Sequence, residues 1–196
     1  MNQNRVILIT GGSRSGKSRL ALEKMAAYPR KLFLATAVAT DEEMKERIAQ
    51  HQKDRGAGFV TVEEPIHLAD TLRREAARAD AILVDCLTFW LNNLFYASGA
   101  GVPRLSSASL REIEDFLTVL EERPVSLILV TNEINMGVVP SEGLTRRFVD
   151  EQGRLNQEVA RRADEVILMV AGIPQTLKRS RLAPSVPAMT GGLVSP

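Results

Sequence analysis

Eight consecutive residues restrict what this chain can fold into more than any other part of it. Positions 11–18 read Gly-Gly-Ser-Arg-Ser-Gly-Lys-Ser, with Gly11, Gly16, Lys17 and Ser18 in the fixed places of a Gly-x-x-x-x-Gly-Lys-Ser pattern. The octet follows the apolar run "RVILIT" (5–10) and precedes an amphipathic segment at 17–27. Strand, glycine-rich turn and helix in that order make a cradle for phosphate groups. The glycines let the backbone turn tightly and bring N–H groups up to phosphate oxygens. The helix start adds unpaired donors and the positive end of a dipole. Lys17 supplies a point charge for the β- and γ-phosphates, and the Ser18 hydroxyl is suited to Mg²⁺. Gly11, Gly12, Ser13, Arg14, Ser15, Gly16, Lys17 and Ser18 are therefore the candidate nucleotide-binding residues.

Beyond the cradle, short apolar runs alternate with longer amphipathic segments. "KLFLAT" (31–36), "GFVTVE" (58–63), "DAILVD" (80–85), "VSLILVT" (125–131) and "DEVILMVA" (164–171) join 5–10 as predicted strands. Several are almost continuously apolar, as expected of parallel strands covered on both faces. Helices are predicted at about 17–27, 41–55, 66–78, 86–98, 106–122 and 142–162. This alternation predicts an α/β fold: a doubly wound, mostly parallel sheet with helices on both faces. Thr40 and Glu43 fit a capping box for the second helix, with Asp41 and Glu42 near its positive end. The stretch 99–107 reads as a surface loop. Residues 179–196 hold three prolines and two glycines with no period, so a single domain at 1–178 with a loosely ordered tail at 179–196 is expected.

Composition narrows the function. The net charge of +1 disfavours a general nucleic-acid binder, which usually carries a large basic excess. A single cysteine, Cys86, suits a reducing cytosol. No signal-peptide pattern and no stretch near about 18 apolar residues is present, so a cytoplasmic protein without a membrane span is expected.

Three further places carry chemistry. Asp85 ends a predicted strand, where open α/β sheets bind ligands and where an acidic residue can hold Mg²⁺; it equally suits a helix N-cap. Cys86 beside it reads as a small buried side chain. "TNE" (131–133) also follows a strand, placing Asn132 and Glu133 near the same crevice, with no role assigned to either. Met44, Ile48 and His51 share one helical face, so His51 can end an apolar stripe. Lys53 and Arg55 follow it closely, however, and a neutral imidazole beside cations can attack a phosphorus. The pattern leaves both readings open. His67, after Pro65, reads as solvated capping or packing.

The segments "ITGGSRSGKS", "ATDEEMKERIAQHQKDRG", "TVEEP", "ILVDCLTFWLNNL", "LVTNEINMGVVP" and "FVDEQGRLNQEVARRADEVILMVAGIPQTLK" together resemble the bifunctional adenosylcobinamide kinase / adenosylcobinamide-phosphate guanylyltransferase family of cobalamin biosynthesis, from about residue 5 to 178. The resemblance implies a RecA-like P-loop NTPase fold and two reactions. ATP or GTP phosphorylates the hydroxyl of adenosylcobinamide; GTP then passes GMP to a histidine, and the GMP moves to adenosylcobinamide phosphate. It implies that His51 is the guanylylated residue, with Lys17 beside it as catalytic. It carries nucleotide contacts onto 11–18, Thr36, Ala37, Val38, Gln52, Lys53, Asp54, Arg55, Glu63 and Asp85, and Mg²⁺ onto Ser18 and Asp85. Glu63 rather than Glu64 is chosen by counting back from Leu68. A homotrimer is implied as well. Two departures stand out: Asn135 where a glycine is common, and Asp85 where some members have Glu. A helix rises about 1.5 Å per residue, so His51 lies roughly 16 Å beyond Thr40. Attack on an α-phosphate held at the cradle then requires the helix to fold over the nucleotide or a neighbouring subunit to complete the site; helix movement is the expectation. The alternatives are a monofunctional P-loop small-molecule kinase and a nucleotide-switch ATPase with a protein partner.

Overall fold

The computed structural model describes residues 4–39, 41–55, 58–99 and 104–180. The apolar runs become β1 (Val6–Gly11), β2 (Lys31–Ala35), β3 (Val60–Glu63), β4 (Ala81–Asp85), β5 (Ser126–Val130) and β6 (Glu165–Val170), and β7 (Ile173–Arg179) follows them. The helices are α1 (Lys17–Met25), α2 (Glu42–Arg55), α3 (Leu68–Glu75), α4 (Leu87–Ala97), α5 (Ser107–Glu122) and α6 (Gly143–Arg162). The seven strands form one sheet in the order β3-β2-β4-β5-β1-β6-β7. The first six are mutually parallel, and only β7 runs against its neighbour.

Each central strand is buried on both sides, and its period of two sends alternate residues to two separate cores. Val6, Leu8, Ile82, Val84, Leu127 and Leu129 pack with α3, α4, α5 and α6. Ile7, Ile9, Leu83, Ile128 and Val130 pack with Ala21 and Met25 of α1. Trp90 anchors the larger core. It is fully buried, 4.9 Å from the Phe116 ring, and its indole Nε1 donates to the Ile66 carbonyl at 2.8 Å. Its single polar atom is thus satisfied in a dry interior.

β7 was not among the predicted strands. Ala171 and Gly172 both have positive φ, 50° and 82°, and Val170 pairs with Ile173, so a two-residue turn of primed type joins β6 to β7. The strand lies at the sheet edge, every residue is exposed, and it carries Pro174, so it shows neither an apolar run nor alternation. It reaches Arg179, and Ser180 N–H still donates to the Asp164 carbonyl, so the sheet and its contacts run past the expected boundary at 178. The rest of the expected tail, 181–196, lies outside the described residues, as does Thr40 of the expected capping box.

Truncating Trp90 removes both the ring contact and the packing around it. Trp90→Ala is expected to cost about 3–5 kcal/mol in urea unfolding, with an unchanged dependence on denaturant.

Candidate nucleotide site

The cradle turn closes between β1 and α1. Gly11 leaves the strand at φ 149°, and a Cβ there would lie 2.5 Å from the Met169 carbonyl oxygen of β6. Gly16, at φ 95°, is the N-cap of α1 and has no side chain to cap it, so the helix start faces the turn. Both positions need glycine for steric reasons. Arg14 also sits in the left-handed region, at φ 55°, a conformation that costs a non-glycine residue about 1–2 kcal/mol. The turn is braced from outside: Gly172 N–H, in the β6–β7 turn, donates to the Ser15 carbonyl at 3.1 Å. The edge hairpin absent from the predicted strands therefore supports the phosphate loop.

Lys17 is buried, and its Nζ donates to the Gly12 carbonyl at 2.6 Å, folding the ammonium over the loop. Ser13 to Ser18 share a cavity of about 450 Å³ with Asp85, Cys86, Phe89 and Asn132. Asp85 reaches it because it continues the Ala81, Leu83 series of β4 onto the α1 face. Ser18 Oγ and the Asp85 carboxylate are hard oxygen donors on one cavity wall, a fit to Mg²⁺, which is usually held by one or two protein oxygens plus substrate phosphates. Among the described residues no cluster of three or more His, Cys, Asp or Glu could hold a metal by itself. Burial pushes the Cys86 thiol up to about 12, so it stays protonated, in keeping with a packing role.

Other expected residues are distributed differently. Thr36 is fully buried, and its hydroxyl accepts from Cys86 N–H and donates to the Cys86 carbonyl. Its N–H donates to the Asp85 carbonyl, and its own carbonyl accepts from Asn93. Thr36 thus ties β2 to the β4–α4 junction, while the exposed Val38 lies beyond it. Glu63 is exposed at the end of β3, four strand positions from β1 with β2, β4 and β5 between them, or about 19 Å at the usual strand spacing. It therefore does not share the cradle cavity. Its neighbour Glu64 is engaged elsewhere, holding the turn before α3 by accepting from the Ile66 and His67 N–H groups. His51 and Gln52–Arg55 lie on α2, after β2; Lys53 is exposed, and the side chains of Met44, Ile48, His51, Gln52, Asp54 and Arg55 lie outside the described ones. His67 is solvated and bonded to Glu112 at 2.9 Å, which raises its pKa; it does not cap α3 with its side chain.

A buried polar cluster, invisible in the sequence, lies behind the cavity. Thr131 Oγ1 donates to Asn156 Oδ1 at 2.8 Å, and Gln152 Nε2 bridges both. The loop after it, from Ile134 to Pro140, makes one wall of a groove of about 920 Å³ with the first turns of α6, and Val138 is 96% exposed on it. Asn135 presses its carboxamide onto Gly153 of α6, where a Cβ would overlap its Nδ2.

A phosphate-binding turn after β1, an acidic strand end on β4 and a mostly parallel sheet define a P-loop nucleotide-binding protein of the α/β class. The fold is shared with the assembled type III secretion ATPase EscN from enteropathogenic E. coli, in complex with its central stalk EscO: the TM-score is 0.56 at 15% identity, over 93% of this chain and 48% of the other, about half its length. The chain belongs to the family described as cobinamide kinase / cobinamide phosphate guanyltransferase, which matches residues 7–177. It is 49% identical over 173 residues to the bifunctional adenosylcobalamin biosynthesis protein CobP of Pseudomonas aeruginosa, covering 87% of this chain and 96% of that one. It is 39% identical over 180 residues to CobU of Salmonella typhimurium, also named a bifunctional adenosylcobalamin biosynthesis protein, covering 88% and 99%. Among the described residues no helix is long and apolar enough to cross a membrane.

Asn135 and Gly153 should behave as a pair. Gly153→Ala gains about 1 kcal/mol of helix propensity but displaces the Asn135 carboxamide. In an Asn135→Gly background the same change should raise Tm by more than it does in the parent, a non-additivity measurable by calorimetry.

Proposed function

We propose that this protein carries out two consecutive steps of adenosylcobalamin biosynthesis. It phosphorylates adenosylcobinamide with ATP or GTP, then transfers GMP from GTP to adenosylcobinamide phosphate, giving adenosyl-GDP-cobinamide and pyrophosphate. The observation that carries this reading is the Lys17–Asp85 cavity in a chain that matches bifunctional relatives over almost their whole length.

For the kinase step the amides of 11–18 and the α1 start bind the triphosphate, and Lys17 turns its ammonium from the Gly12 carbonyl to the β- and γ-phosphates. Ser18 and Asp85 would hold Mg²⁺, which would offset charge on the phosphates. For guanylyl transfer, neutral His51 attacks the α-phosphorus, an N–P bond forms and pyrophosphate leaves. A phosphate oxygen of the corrinoid then attacks the same phosphorus and releases the imidazole. Ala37, Val38, Gln52, Lys53, Asp54, Arg55 and Glu63 complete the nucleotide contacts, with Thr36 positioning the strand end from which they start. The site closes by movement of α2 over the nucleotide; the four strand positions between β3, which bears Glu63, and β1 support such a closure. The functional unit is a single domain that extends through β7 to Ser180, and the compartment is the cytoplasm.

Protein incubated with GTP labelled at the α-phosphate should acquire an acid-labile, base-stable label, and His51→Ala should abolish it while keeping kinase activity. Lys17→Ala should lower phosphoryl transfer by at least about 10²-fold. Label that arrives only from the γ-phosphate would remove the GMP intermediate and leave a monofunctional kinase.

The subunits associate as a homotrimer. Val170, Ile173 and Leu177 are 55%, 70% and 56% exposed on the edge hairpin, apolar surface that association would cover. Sedimentation equilibrium should give three times the chain mass; a monomer at micromolar concentration refutes it.

A further inference from the structure

We propose that Asn132 contacts the transferring γ-phosphoryl group in the kinase step. The proposal deepens the functional reading above and rests on the cradle holding a triphosphate. It starts from the sheet order, which sets β5 between β1, the strand that feeds the cradle, and β4, the strand that ends in Asp85. Ile128 and Val130 of β5 face α1, and the period of two puts Asn132 on that face as well. Asp85 is level with Val130 in the ladder, so Asn132 extends two residues further, along the wall of the cavity that Lys17 and Asp85 share.

The backbone at this position is held from three sides. Asn132 N–H donates to Thr88 Oγ1 at 2.9 Å. Its carbonyl accepts from Asn156 Nδ2 at 3.1 Å, and Asn156 is fixed by the buried cluster with Thr131 and Gln152. The next residue, Glu133, donates its N–H to the Gly11 carbonyl at 3.0 Å, stitching the strand end to the first cradle residue. The side chain is used by none of this: among the described residues the half-buried carboxamide has no hydrogen-bond partner. The fold positions the main chain of Asn132 and leaves its polar head in the cavity.

The chemistry suits phosphoryl transfer. As the bond from the γ-phosphorus to the bridging oxygen breaks, the corrinoid hydroxyl oxygen bonds to that phosphorus, nucleoside diphosphate leaves and the hydroxyl proton is released to water. Charge spreads over the three non-bridging γ-oxygens, and a preorganised N–H donor stabilises it. Asn132 Nδ2 supplies that donor. Being neutral, the amide adds no repulsion beside Asp85, and it takes no proton. In guanylyl transfer the bond broken is α–β, the γ-group departs within pyrophosphate, and its oxygens gain less from the donor. Asn132 therefore matters more to the first reaction than to the second.

The test uses the full chain with Asn132→Ala and the isosteric Asn132→Asp. In the Ala variant, kcat for phosphorylation of cobinamide should fall about 10²-fold, with the KM for nucleotide within about fivefold of the parent. Formation of the guanylylated protein from α-labelled GTP should slow by less than about tenfold. The Asp variant should also bind triphosphate more weakly than the Ala variant in a direct fluorescent-nucleotide titration, because it turns a carboxylate toward the phosphates. A kinase kcat within about threefold of the parent overturns the proposal, as does an equal fall in both reactions. If the Ala variant melts early, Asn132→Leu, close in size and without an N–H donor or a charge, carries the same test. Parent protein that never phosphorylates cobinamide would instead refute the functional reading, so the two failures are distinct.

Discussion

A turn that binds an anion through its own backbone cannot also be held rigid by dense internal hydrogen bonding. The loop from Gly11 to Ser18 is accordingly held from outside. β6 presses the Met169 carbonyl against Gly11, the β6–β7 turn donates to Ser15, and Glu133 donates to Gly11 from the end of β5. Each of these props comes from a segment more than a hundred residues away in sequence. The cradle is local in composition and non-local in rigidity, so its preorganisation depends on the whole sheet being in register.

The same sheet gathers the rest of the site. Placing β5 between β1 and β4 brings a lysine, a carboxylate and a carboxamide from three distant stretches around one cavity. Thr36 closes the arrangement on the β2 side by engaging both peptide groups of Cys86. A buried hydroxyl with two backbone partners is expensive to misplace, so it fixes the β4–α4 junction where Asp85 emerges. Glu63, on the edge strand, stands apart from this rigid centre.

Much of this was legible in the chain. The central strands announced themselves because parallel strands buried on both faces must be apolar almost throughout, and the helices by their amphipathic stripes; β3, exposed at the sheet edge, was legible only from its short β-branched run. The octet at 11–18 and Asp85 could be placed because both sit where an apolar run stops. β7 could not be read from pattern, since an exposed edge strand with a proline has no core to satisfy; only "VAGI", with its turn-forming glycine, hinted at a hairpin. The "TNE" segment marked the crevice, but nothing local said that Thr131 would join a buried polar cluster while Asn132 lines the cavity. Nor did anything local reveal that Asn135 rests on Gly153 or that Gln152 and Asn156, on a polar stretch of helix, are buried.

The sequence by itself determined the class of fold, the position of the phosphate loop and the family kinship, because glycine placement, hydrophobic period and motif order are properties of the chain as written. Tertiary structure alone decided which strand ends meet, which polar groups are consumed in holding the frame and which are left facing the cavity. Those depend on strand order and register, and contacts between residues a hundred positions apart leave no periodic trace in the chain that makes them.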